Sequence, residues 1–143
     1  MRNKGFTLIE LMMVLIIIGI LAGLITAASF RAIEDAKIGQ AQSEIAAFET
    51  ALAMYESDVG DFPLMTPAGN NQFKFWLDDG DGSTGWDGPY MNFTSGDVSG
   101  NAATDPWGNI YQYQCPGVEH DSTTNPFDIY TTDSDGNSIN NWD

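Results

Sequence analysis

The chain has 143 residues, about one domain's worth, with 43% hydrophobic and 12% aromatic residues and a formal charge of −15. So large a negative excess repels phosphate backbones and argues against direct nucleic-acid binding. One cysteine, Cys115, rules out an internal disulfide, and one histidine, His120, leaves no set of ligands for a His- or thiolate-based metal cluster.

The charge is unevenly divided. Residues 1–28 carry Arg2 and Lys4 against Glu10, whereas residues 60–143 carry Lys74 against thirteen acids. Between Phe6 and Ala28 runs FTLIELMMVLIIIGILAGLITAA, with Glu10 as its one charge. As a helix this run is roughly 35 Å long, enough for a hydrocarbon core of about 30 Å. It exceeds the apolar region of a secretory signal and lacks a small-residue cleavage site after it. Residues 6–28 are therefore expected to cross a membrane. The basic residues lie before the run and acids follow it, which predicts a cytoplasmic N-terminus and an outward-facing remainder.

An acid at mid-bilayer costs on the order of 2.5 to 3.5 kcal/mol, and less near a helix end, so Glu10 calls for a partner or a function. A bland alternative is an interfacial carboxylate favoured by the helix dipole. Gly19, Gly23 and Ala27 recur every four residues, a small-residue face suited to close helix packing in lipid.

The residues Lys4-Gly5-Phe6-Thr7-Leu8-Ile9-Glu10, opening a long apolar run, resemble those of type IV prepilins and pseudopilins. The resemblance implies a leader of residues 1–5, cleavage between Gly5 and Phe6 by a prepilin peptidase, and N-methylation of Phe6. It also makes Glu10 an assembly residue, its carboxylate answering the new amine of Phe6 in a neighbouring subunit. Removing that carboxylate would leave the amine unpaired in low dielectric. The family usually has a proline where this chain has Ala27, linked there to local melting of the helix during assembly.

Residues 29–60 continue the helical pattern. Ala41, Ile45, Phe48, Leu52 and Tyr55 form one stripe with Glu44, Glu49 and Glu56 off it, and Gly60 and Pro63 stop the helix. The stripe is expected to be core for the domain that follows. In residues 61–143 glycine, asparagine, aspartate and aromatics replace the helix formers. A short helix is expected over Asn71 to Leu77, and strands over Pro89 to Phe93, Ile110 to Cys115 and Phe127 to Thr132. Asp105-Pro106-Trp107-Gly108 matches a type I turn. The predicted class is α+β: a long N-terminal helix with a small antiparallel sheet on its amphipathic half.

Asp61-Phe62-Pro63, Gly88-Pro89-Tyr90, Asp105-Pro106-Trp107-Gly108-Asn109, Asp128-Ile129-Tyr130, Ser134-Asp135-Gly136 and Asn141-Trp142 narrow the resemblance to the major pseudopilins of type II secretion systems. That resemblance implies a non-enzymatic subunit of a homo-oligomeric filament, working with other pseudopilins and inner-membrane secretion components to export folded proteins. It places the processed chain in the bacterial inner membrane with its C-terminal domain in the periplasm. The alternative is a type IV pilin of an extracellular fibre for adhesion, motility or electron transfer. Such pilins usually carry a C-terminal cysteine pair, and this chain has Cys115 alone.

The major pseudopilins bind calcium in a C-terminal loop. On this chain the resemblance assigns the ion to a carbonyl such as that of Thr132, with Asp133, Asp135 and Ser138, oxygen ligands of the kind calcium takes. Asp78, Asp79 and Asp81 lack the EF-hand glycine and are expected in a solvated loop. Glu119, His120 and Asp121 read as a polar loop, and Cys115 as a small buried strand residue.

Overall fold

A computed structural model describes residues 5–64, 72–117 and 126–142. Its first element, α1, runs from Leu8 to Val59, 52 residues. Gly60 ends it, its N–H donating to the Glu56 carbonyl (2.8 Å). The chain divides into two compact units, one reaching Ala36 and one from Lys37 onward.

In the first unit the large apolar side chains from Leu8 to Leu21 are exposed. Among the described residues, no helix is long and apolar enough to cross a membrane. The apolar part of α1 up to Gly23 spans 16 residues, roughly 24 Å against a core of about 30 Å. The expected span over 6–28 also needs residues 24–28, whose side chains lie outside the description.

In the second unit the predicted stripe is the core. Ala41, Ile45, Phe48, Leu52 and Tyr55 are all buried, joined by Ala51. Phe48 stacks on Phe73 with centroids 4.5 Å apart and meets Tyr111 edge-on at 5.2 Å. Tyr113 extends the cluster to Phe73, Trp76 and Phe127. The aromatic residues are thus largely packing material, each burying a large apolar area.

The short helix overlaps the expected range, with Phe73 and Lys74 helical and leading into a π-helical turn over Phe75–Asp79 that buries Trp76 and Leu77 and runs two residues beyond it. The strand expected over Pro89 to Phe93 does not form. Tyr90 and Met91 both donate their N–H to the Leu77 carbonyl, and the Phe93 N–H goes to Asp78 Oδ2. These residues meet the orphan polar groups of the preceding turn and so are unavailable to a ladder.

Five strands follow, β1 (Val98–Ser99), β2 (Ala102–Ala103), β3 (Gln112–Gln114), β4 (Asp128–Thr132) and β5 (Ser138–Asn140). β1 and β2 form one antiparallel pair, and β3-β4-β5 an antiparallel sheet with Tyr113 opposite Ile129 and Thr131 opposite Ile139. β3 and β4 fall within the strands expected over Ile110 to Cys115 and Phe127 to Thr132. The class is α+β, a long N-terminal helix followed by a small antiparallel sheet domain.

Candidate functional site

Two regions carry the sequence-predicted functional residues, and each is described within its own unit. At the start of α1, Gly5 and Phe6 are exposed and non-helical, with Phe6 73% accessible. Thr7 caps the helix. Its backbone N–H and its hydroxyl both donate to Glu10 Oε2 (2.9 and 2.8 Å), and the Glu10 N–H reaches back to Thr7 Oγ1 (3.3 Å). This reciprocal arrangement is a capping box, a Thr with a Glu three residues on. The T-x-x-E spacing ahead of an apolar run was the signal for it, and reading Glu10 only as a dipole-favoured or partner-seeking acid misses Thr7. Glu10 Oε1 accepts no hydrogen bond from the described residues.

The second region is the loop joining β4 to β5. Asp133 Oδ1 accepts from the Asp135 and Asn137 N–H groups (2.9 and 2.8 Å), and Oδ2 from Asn137 Nδ2 (2.8 Å). Asp133 N–H donates to the Asn137 carbonyl and Gly136 N–H to the Asp133 carbonyl. The same five bonds recur 28 residues earlier. Asp105 Oδ1 accepts from Trp107 and Asn109 N–H (2.9 and 2.8 Å), and Oδ2 from Asn109 Nδ2 (3.3 Å). Asp105 N–H donates to the Asn109 carbonyl and Gly108 N–H to the Asp105 carbonyl. The predicted turn at Asp105 is therefore one of two D-x-x-G-N loops. Gly108 and Gly136 both have positive φ, +89° and +86°, a conformation that costs glycine little and other residues more.

Their surroundings differ. Asp105 is buried at 6% exposure and its Oδ2 also takes the hydroxyl of Thr131, itself buried on β4. Residues 134–137 of the second loop are exposed. Its Asn137 amide, helped by the loop N–H groups, holds the Asp133 carboxyl below the usual carboxylate range.

This geometry bears on calcium. Both oxygens of Asp133 are engaged by N–H donors of its own loop, as those of Asp105 are. Ser138 Oγ accepts from Asn140 Nδ2 at 3.4 Å. Among the described residues no group of three or more His, Cys, Asp or Glu is arranged to hold a metal ion. A calcium ion, which takes 6 to 8 oxygens, held by Thr132, Asp133, Asp135 and Ser138 would compete with the Asn137 amide for Asp133.

Asp78, Asp79 and Asp81 are not merely solvated. Lys74 pairs with Asp79 and, at 3.7 Å, with Asp78. The Tyr55 hydroxyl donates to Asp81 Oδ2 at 2.5 Å. Cys115 is half-buried on the chain just beyond β3, and burial raises its thiol pKa. Glu119, His120 and Asp121 lie outside the described residues.

An amino-terminal processing motif on an apolar, capped helix, followed by an aromatic-cored α+β domain, defines a pilin-like filament subunit. Comparison with known proteins agrees. The prokaryotic N-terminal methylation motif matches residues 1–26, and the family described as type II secretion system protein G matches residues 28–141. The type II secretion system core protein G of Pseudomonas aeruginosa is 35% identical, covering 99% of this chain and 96% of its own length. Those of Vibrio cholerae and Aeromonas hydrophila are 31% and 33% identical over 99% of this chain, covering 92% and 93% of themselves. The chain belongs to the type II secretion system protein G family.

Proposed function

We propose that the chain is a structural subunit of a type II secretion pseudopilus, anchored in the bacterial inner membrane by residues 6–28 with its N-terminus cytoplasmic. A prepilin peptidase cleaves between Gly5 and Phe6, and Phe6 is N-methylated. The domain from residue 29 onward lies in the periplasm, and subunits join through their N-terminal helices, together with other pseudopilins and inner-membrane components of the system, to move folded cargo through the outer membrane.

The observation that carries this reading is the capped apolar helix directly behind Gly5-Phe6. Glu10 Oε2 is occupied by Thr7, which leaves Oε1 to accept from the Phe6 amine of a neighbouring subunit. Pairing the two charges offsets the desolvation that either would suffer alone in lipid. The subunit performs no chemistry of its own in this reading; processing and energy come from partner proteins. The Thr132 to Ser138 loop is closed by its own hydrogen bonds.

Deleting the gene tests the assignment: cargo is expected to accumulate in the periplasm while surface fibres persist. Normal secretion with lost twitching or attachment would instead assign the chain to an extracellular pilus. Intact mass of the membrane form is expected to show loss of residues 1–5 and gain of one methyl group. A full-length, unmethylated mass in cells with an active peptidase would overturn the reading.

A further inference from the structure

Cations are scarce on this chain, and the described ones have different fates. Lys74 is ion-paired with Asp78 and Asp79, and Lys37 lies 5.8 Å from the Trp107 ring centroid. Arg31 is exposed, and among the described residues it has neither an ion pair nor an aromatic partner. Four residues further along α1, Asp35 is exposed as well and equally unengaged among the described residues. Glu34 is half-buried and already has an interaction.

The spacing repeats that of the helix start. Phe6, whose amine is freed by cleavage, precedes Glu10 by four residues, as Arg31 precedes Asp35 by four. Glu10 and Asp35 are 25 positions apart on one α-helix, about 6.9 turns, so the two acids stand on nearly the same face. Subunits of a helical filament are related by one repeated operation. For parallel helices, a stagger of about 6 Å brings residue 31 of one subunit level with residue 35 of the next. The same stagger carries residue 6, just ahead of the first turn of α1, to within side-chain reach of residue 10.

We propose that Arg31 of one subunit pairs with Asp35 of the next, a second intersubunit charge clamp in register with the Phe6 amine and Glu10. The partner is a second copy of this chain, selected by charge: once residues 1–5 are gone, three basic side chains remain against 20 acids, and like-charge repulsion opposes assembly wherever those cations are not placed. This inference rests on the proposed pseudopilus function and adds the register of its subunits.

The test uses the full chain in cells carrying the rest of the secretion system, with filaments sheared and quantified. Arg31→Glu and Asp35→Lys are each expected to lower filament yield about tenfold or more. Co-expression of the two variants is expected to restore yield. The acid introduced at position 31 of one subunit then meets the base introduced at position 35 of the other, while native Arg31 and Asp35 pair in the reverse order. An Arg31–Asp35 bond confined to one helix would not be rescued by mixing chains. In a Cys115→Ala background, Arg31→Cys and Asp35→Cys subunits expressed together are expected to form a disulfide-linked dimer bridging positions 31 and 35.

Wild-type yield from the single variants, or no rescue and no 31–35 cross-link on mixing, would overturn the inference. If Glu10→Gln abolishes filaments while Arg31→Glu leaves them intact, the clamp fails and the pseudopilus reading stands. If the wild-type chain is neither cleaved nor assembled, that reading fails and takes the clamp with it.

Discussion

The two D-x-x-G-N loops permit a matched experiment, because the same five internal bonds are made in two environments. Asp105→Ala removes the acceptor for Trp107 N–H, Asn109 N–H, the Asn109 amide and the Thr131 hydroxyl. Asp105 and Thr131 are 6% and 3% exposed, so water cannot readily replace the lost carboxylate at the β4 end. A buried donor left without its acceptor costs about 1 to 3 kcal/mol, and bonds to a charged acceptor are the stronger kind. Allowing for the donors at Asn109 that reach solvent, the whole change should cost on the order of 3 kcal/mol, or roughly 10 to 15 °C in melting temperature for a unit of this size. Asp133→Ala removes three of the corresponding bonds on an exposed loop, where water accepts from the freed N–H groups, and the loss should be much smaller. Thermal and urea unfolding of the full chain in detergent, followed by near-ultraviolet circular dichroism of the aromatic core, measures both. Equal destabilisation by the two substitutions would refute the argument that burial, and not the loop motif, sets the value of these bonds.

Glu10→Gln keeps the capping box, since glutamine serves at that position, but removes the charge. An unpaired buried amine costs on the order of 3 to 5 kcal/mol, so filament yield should drop at least a hundredfold while helix content by circular dichroism is unchanged. Phe48→Ala empties a site walled by Phe73, Phe93 and Tyr111 and should destabilise the second unit by about 3 to 5 kcal/mol, read by the same urea melts. Asp133 has a depressed carboxyl pKa in the folded state. Its stabilising contribution is therefore present above the unfolded value of about 3.9 and is lost as pH falls through the folded one. Wild type should lose more stability than Asp133→Asn on acidification below about pH 4, and parallel acid limbs would count against this. Calcium at millimolar concentration should give no heat in calorimetry and no change in melting temperature on chelation, whereas saturable binding would show that Asp133 releases Asn137 for the ion.

Local chemistry was readable from residue order alone. The 4-3-4-3 stripe on α1 is buried as spaced, the helix ends at Val59 before Gly60, and the Asp105 turn closes with its Gly108 N–H. The methylation motif over residues 1–26 and the Thr7–Glu10 cap are recognisable for the same reason, since each is a short contiguous segment. What lay beyond sequence reasoning depends on partners distant in the chain. β2 is two alanines and β5 is Ser-Ile-Asn, where Ile139 alone favours a strand, and both pair because neighbouring strands present unsatisfied ladder groups. Pro89 to Phe93 has strand-like character, yet its N–H groups are drawn to Leu77 and Asp78 across the fold. Two loops with the same D-x-x-G-N letters acquire different roles only when the fold sets Thr131 against Asp105 and leaves residues 134–137 in water. Composition and periodicity determine which segments are helical, apolar or turn-forming, because those preferences act within a few residues. Burial decides which polar groups matter, and burial exists only once the chain has packed.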